Sequence, residues 1–346
     1  MKELTGAERI ITTLQHREPD RVPHFELYIH TNVRNSIKPG ASYFDIVDLL
    51  DLDALVVDDL PQNDMNNMID STRFRNRWGV IWQITPDAIH PVEGPIKTPK
   101  DLDSWVLPDP DEPAKYTQLA GMVKKYKGQK AIIVAFQDPF DIASSMRGAE
   151  NYFKDFILNP DLVDRIGGLL RDYYKIYIKN CMETGADIIF ITGDYATTKW
   201  PMLSNKYFSK HVIPILKSLV DEAKNHGAYV FKHTDGNIMP IMDLIMSTGL
   251  DGLHPIDPNA GMDLAFMKEK YGEKLTLMGN VDCAQILSWG TAEDVRNEVK
   301  RCLRQGAKGG GYICMSSNTI HSAVKPENYL EMIKAIREYG TYPISI

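Results

Sequence analysis

The chain has 346 residues, 43% of them hydrophobic and 25% charged, and a net charge of −7. That is long for one domain but ordinary in composition for a soluble globular protein. The acidic balance offers no basic face to a nucleic-acid backbone and makes a poor membrane anchor. No apolar run approaches the ~20 residues of a spanning helix.

The opening stretch, MKELTGAERI, is charged and lacks the apolar centre of a secretion signal, which predicts a cytoplasmic protein. Residues 1–17 read as a helix ahead of the first strand, VPHFELY at 22–28. A second strand, ALVVDD, follows at 54–59. An insertion over about 60–113 is loop-rich and full of prolines, with a short hairpin expected at 78–84. Further strands are expected at 131–136 (AIIVAF), 187–194 (DIIFITGD), 228–235 (AYVFKHTD), 252–257 (GLHPID), 275–282 (LTLMGNVD) and 311–318 (GYICMSSN). Amphipathic helices are expected at 160–184, 204–225, 291–305 and 326–338. SNKYF at Ser204 and TAEDV at Thr291 read as capping starts.

Most of these strands are nearly continuous in apolar character, as strands of a parallel sheet buried on both faces must be. Eight of them with intervening helices predict a single (β/α)8 barrel over residues 1–346, with the insertion over its mouth. An open doubly wound sheet is the rival. No GxGxxG turn follows an early strand, which weakens its dinucleotide-binding form.

A barrel places its chemistry at the carboxyl ends of its strands, and polar residues crowd there. They run Glu26, Tyr28 and His30; Asp58 and Asp59; Gln137 and Asp138; Asp194 and Tyr195; His233 and Asp235; His254 and Asp257; Asn280, Asp282 and Cys283; then Cys314, Ser316, Asn318 and His321. Glu26, Asp194, His254 and His321 are the acid–base candidates. Tyr28, Gln137, Tyr195 and Asn280 are the substrate-binding ones. His233 and Asp235, at i and i+2 on a strand end, point to one side. With Cys314 they make a three-ligand zinc site with an open fourth position. The plainer reading is a His–Asp hydrogen bond and a small buried thiol. No CxxC spacing occurs; Cys181, Cys283 and Cys302 read as core residues, and a disulfide framework is not expected.

The blocks GADIIFITGDYATTKWPMLSNKYFSKHVIP, GAYVFKHTDGNIMPIMDLIMSTGLDGLHPID, LTLMGNVDCAQIL and GGYICMSSNTIHSAVKPENYLEMI, in this order, resemble the uroporphyrinogen decarboxylase superfamily. The resemblance implies a (β/α)8 barrel and one of two chemistries. The decarboxylase branch carries an arginine-rich RQAGR segment after its first strand. Here LYIHTNVRN offers only Arg34, and a substrate with many carboxylates needs arginine forks. The other branch comprises corrinoid-linked, zinc-dependent methyltransferases whose thiol-methylating members carry HxCG. Here the block is His233-Thr-Asp235-Gly236, with Asp in place of Cys, and Cys314 falls near the position of a second ligand. A carboxylate makes the zinc harder and suits polarising an ether oxygen better than activating a thiol.

The resemblance thus implies transfer of a methyl group from a small molecule, such as an aryl methyl ether, to a corrinoid on a separate protein. No DxHxxG-type corrinoid block is present, and a homodimer is a common outcome for soluble enzymes in general. A cofactor-free lyase using Asp58 or Asp59 with His321, on a less acidic carboxylated substrate, is the alternative. A non-catalytic binding barrel is a third reading.

Overall fold

Runs of β-branched and aromatic residues become the strands of one parallel sheet in a computed structural model that describes residues 3–60, 67–85 and 89–346. In chain order the strands are β1 (Ala54–Asp59), β2 (Arg73–Arg75), β3 (Ile81–Ile84), β4 (Ile89–Glu93), β5 (Ala131–Gln137), β6 (Ile188–Thr192), β7 (Tyr229–His233), β8 (Gly252–His254), β9 (Thr276–Val281) and β10 (Tyr312–Ser316). Seven form a parallel sheet in the order β1-β5-β6-β7-β8-β9-β10. Strands β2, β3 and β4 form a separate antiparallel sheet within the expected insertion. The hairpin expected at 78–84 is larger than anticipated: Trp78 lies in the turn, and β2 and β3 flank it. Parts of the insertion, residues 61–66 and 86–88, lie outside the described residues, as do residues 1–2 of the first expected helix.

Strand alternation divides the buried side chains into two sets. Val56, Ile133, Phe190, Phe231, Met278, Ile313 and Met315 share one cluster with Ile10 and Leu14 of the helix Gly6–Leu14. Leu55, Val134, Ile189, Val230, Leu277, Tyr312 and Cys314 belong to the other, with Leu170, Leu219, Cys302 and Ile336 of the surrounding helices. The first set fills the inside of a curled sheet, and the second anchors the outer helices. Each such side chain contributes about 1.5–3 kcal/mol on burial.

The expected strand at 22–28 is no regular strand. It runs extended between the two edges of the sheet, where Asp53 N–H donates to His24 O (2.9 Å) and Cys314 N–H to Pro23 O (3.1 Å). Pro23 has no N–H to give to a ladder. Side chains take over instead: His24 N–H donates to Asp53 Oδ2 and Ser316 N–H to Glu26 Oε1.

The helix Gly6–Leu14 is shorter than the 1–17 expected, because the Thr5–Glu8 capping box starts it and His16, at φ 53°, ends it. The segment 204–225 is also broken. A short turn of helix and a widened π turn, Phe208–Val212, precede the helix Ile213–Asn225. Pro214 is the cause, since its ring would clash with the carbonyl four residues back and it lacks the N–H to bond it. The Ser204 side chain makes no capping bond there, whereas Thr291 and Asp294 form the expected reciprocal box. The helix Pro160–Thr184 begins and ends where its sequence pattern does, stopped by Gly185 in the left-handed region.

Candidate active site and metal centre

The inward row of side chains turns polar at the carboxyl ends of β5, β6 and β7. A cavity of about 250 Å3 opens there, lined by Gln137, Asp141, Thr192, Gly193, Asp194 and His233, with Leu27, Leu60, Trp82 and Ile89 as its apolar walls. Strand β3 supplies Trp82 and strand β4 supplies Ile89, so the small antiparallel sheet of the insertion forms part of the enclosure.

Backbone shape fixes the loop acids. Gly193, at φ 128°, lies so close to Asp138 that a Cβ would meet its side chain at 3.0 Å. Gly236, at φ 89°, lies against the carbonyl of Thr197, where a Cβ would stand only 2.4 Å away. A side chain at either position would strain the turn. These turns bring three ligand-type groups together: atoms of Asp194, His233 and Asp235 all lie within 4.8 Å of one another. His233 Nε2 stands 3.8 Å from Asp194 Oδ1 and 3.8 Å from Asp235 Oδ1.

The protons in this cluster follow from its hydrogen bonds. His254 Nε2 faces the carbonyl of Ser316 at 3.3 Å, so that nitrogen carries the hydrogen. His254 Nδ1 then accepts from His233 Nδ1 at 2.8 Å, which leaves a lone pair on His233 Nε2. Burial holds both imidazoles below their ordinary pKa, so both are neutral. The 3.8 Å imidazole–carboxylate approaches are therefore not ion pairs. Burial, then the nearby charges of Asp194 and Asp257, pushes the Asp235 carboxyl up. Asp235 Oδ2 accepts from Asn318 Nδ2 at 2.5 Å, while buried Oδ1 has no hydrogen-bond partner among the described residues. Asp194 Oδ1 accepts from Asp235 N–H at 2.8 Å.

An imidazole lone pair facing two carboxylates, one with an orphaned oxygen, fits a divalent cation. His254 and Asn318 hold the outer sides of two of these groups, as partners of metal ligands do. Lys232, fully buried, braces the cluster from the helix side of the sheet. Its ammonium donates to Gly193 O (2.7 Å) and His233 O (2.9 Å), and lies 3.3 Å from Asp138 Oδ2.

Other expected site residues lie elsewhere. Cys314 is fully buried on the opposite face of the sheet from His233, in the cluster that holds Tyr312 and Cys302. Burial pushes its thiol up to about 12. Glu26 also faces the helices, where its two oxygens accept from Ser316 N–H (3.0 Å) and Ser316 Oγ (2.6 Å). Tyr195 is buried and donates to Asp138 Oδ2 (2.6 Å) under the Lys232 ammonium. Asn280 bonds Ile256 O and Arg301 Nη2, on the helix side. Tyr28, half-exposed, and His321, whose Nδ1 accepts from Ala323 N–H, are not among the cavity walls. Asp59 is paired with Arg77 at 2.7 Å.

Gln137, Asp194 and His233 are thus brought to one cavity, with Asp235 and His254 directly behind them. The sequence reading missed Asp141, Thr192 and the insertion's Trp82 and Ile89 as walls. Thr192 was within reach of inward parity along IIFIT. The other three depend on packing between distant segments.

A family profile described as "Uroporphyrinogen decarboxylase (URO-D)" matches residues 5–339. The uroporphyrinogen decarboxylase of Psychromonas ingrahamii is 25% identical over 256 residues, 70% of each chain. The methylcobamide:CoM methyltransferase MtbA of Methanosarcina acetivorans is 24% identical over 220 residues, 62% of this chain and 60% of that one. A solved structure of a methyltransferase from Methanosarcina mazei superposes with a TM-score of 0.77 at 19% identity, covering 97% of this chain and 99% of that one. The last likeness speaks for a shared (β/α)-barrel-like fold, while the profile match runs through nearly the whole sequence. The chain belongs to the uroporphyrinogen decarboxylase (URO-D) family.

Proposed function

We propose that this chain is a methyltransferase that moves a methyl group from a methylated small molecule, an aryl methyl ether, to the cobalt of a corrinoid carried by a separate protein. The observation that carries this reading is the neutral His233 Nε2 lone pair, 3.8 Å from the carboxylates of Asp194 and Asp235 at the wall of a small, half-apolar cavity. In this proposal Asp194 takes the ligand place expected for Cys314. When bound, a zinc ion supplies Lewis acidity that favours departure of the ether oxygen.

The rest falls to side chains of this chain. His254 fixes the His233 ring through Nδ1 and so keeps Nε2 available. Asn318 holds Asp235. Trp82, Leu27 and Ile89 pack against a ring and exclude water around the bond that breaks. In such a transfer the C–O bond would break with its electron pair kept by the oxygen, and the methyl group's new bond would be formed with an electron pair of the reduced cobalt on the partner protein.

A lyase acting on a carboxylated substrate fits the cavity less well. Its described walls carry no Lys or Arg to hold a carboxylate, and 250 Å3 is small for a tetrapyrrole. Metal content separates the two readings. Protein purified without chelator should hold about one zinc per chain by plasma mass spectrometry, lost in His233→Ala. Adding a reduced corrinoid carrier and methyl aryl ethers should then produce methyl-cobalt absorbance. Metal-free protein, or no methyl-cobalt with any ether tested, would turn the assignment toward the lyase.

A further inference from the structure

The cavity at the Asp194–His233–Asp235 cluster has a definite electrostatic character. Two carboxylates, Asp141 and Asp194, line it, and no Lys or Arg does so among the described residues. Within the insertion, the two stretches outside the described residues, 61–66 (PQNDMN) and 86–88 (PDA), contain no Lys, Arg or His in their sequence. Lys232, the nearest buried cation to this group, is committed to two backbone carbonyls and to Asp138. A divalent ion held by one neutral imidazole and two carboxylates has its formal charge cancelled by its ligands. The metal therefore leaves little positive charge to attract an anion.

Asp141 stands apart from that ligand set. Its Oδ2 accepts a hydrogen bond from Gln137 Nε2 at 2.6 Å, and both residues line the cavity. A carboxylate has room for more than one donor. Burial pushes its pKa up to about 6, with the Gln137 bond and Lys232 opposing and the charges of Asp194 and Asp138 adding to the rise. The remaining walls, Leu27, Leu60, Trp82 and Ile89, are apolar.

The geometry points to an uncharged, single-ring methoxyphenol as the methyl donor, with its free hydroxyl donating to Asp141 and any ring carboxylate excluded by the acidic walls. This rests on the proposed methyl transfer and narrows its substrate. The volume sets the size, because about 250 Å3 lies below the ~300–1,000 Å3 of sites for drug-sized ligands. The charge sets the class: a carboxylate placed within a few ångströms of Asp141 is repelled with no arginine fork to receive it. A phenol hydroxyl, with a pKa near ~10, is neutral at pH 7.5 and offers the donor the carboxylate lacks.

The test is isothermal titration calorimetry of the zinc-loaded protein at pH 7.5 with three probes: 2-methoxyphenol, its 4-carboxylate, and 1,2-dimethoxybenzene, which has no donor. The phenol should bind at least about tenfold more tightly than the carboxylate and about threefold or more tighter than the dimethoxy compound. In Asp141→Asn, which keeps the shape and removes the charge, the gap between phenol and carboxylate should shrink to within about threefold. A carboxylate that binds wild-type protein as tightly as the phenol overturns the inference, as does an unchanged gap in the variant or no phenol binding at all. The wild-type comparison alone decides it should the variant fail to fold. Binding needs no corrinoid, so the two readings fail separately. Selective phenol binding without methyl transfer would reject the function and keep this pocket chemistry. Demethylation of the carboxylate with equal binding would do the reverse.

Discussion

At Cys314 the two-residue period of a strand decides where a ligand-type side chain goes. Ile313 and Met315 face the inside of the curled sheet, so Cys314 faces the helices with Tyr312. The sequence block GYICMSSN shows a cysteine near a strand end but not its parity relative to β7, which carries His233. His233 and Asp235 were legible as a pair because their spacing is local. Asp194 stood out as a strand-end acid, yet its place beside them depends on β6 lying next to β7. The consequence is measurable with a chelator-competition titration. Asp194→Asn should weaken zinc binding by at least about 100-fold, since loss of outer partners alone typically costs 10–100-fold. Cys314→Ala should leave zinc affinity within about twofold and lower stability by about 1 kcal/mol through the lost buried sulfur. The reverse pattern would restore Cys314 as a ligand.

The segment 22–28 shows how an element can be apolar enough to read as a strand and still not pair as one. Its alternation is correct, with Phe25 and Leu27 on the inner side. Pro23 and the carboxylates of Asp53 and Glu26 replace a regular ladder, which periodicity cannot reveal. Glu26 is the expensive part. It is fully buried among His24, Tyr43, Tyr329, Cys283 and Cys314, and burial pushes its carboxyl up to about 8 despite two bonds from Ser316. His24 gives it no countercharge: burial lowers that imidazole to about 4, and its Nε2 lies 3.9 Å from Glu26 Oε1. A carboxyl whose folded pKa is raised favours the folded state fully below the unfolded value of ~4.3. That contribution is lost as pH rises through about 8. Glu26→Gln has no such proton to keep. Urea unfolding of both proteins should therefore show wild type losing stability relative to the variant between pH 5 and pH 8, by on the order of 3 kcal/mol. A difference independent of pH would mean that Glu26 is ionised in the folded protein.

Over the whole molecule, helix and strand order were readable because a parallel sheet covered on both faces needs continuous apolar runs, and these are visible in one sequence. The arrangement of the mouth was not. The β2-β3-β4 sheet, the turns at Gly193 and Gly236, and the carboxyl ends of β6 and β7 meet through contacts between distant segments. A cation held by Asp194, His233 and Asp235 would join the β6 and β7 connections in the folded chain alone, because the unfolded chain does not hold these groups together. Binding to the native state alone stabilises by RT ln(1 + [L]/Kd), about 2.7 kcal/mol at a free zinc concentration 100 times Kd. Chelator-treated protein should thus gain close to that amount on zinc addition, measured by chemical unfolding at fixed pH. His233→Ala should gain almost none at the same concentration, and the carrier protein is not needed for either result. Equal stabilisation of both proteins would place the ion at some other site on the chain and remove the physical basis for the Asp194–His233–Asp235 centre.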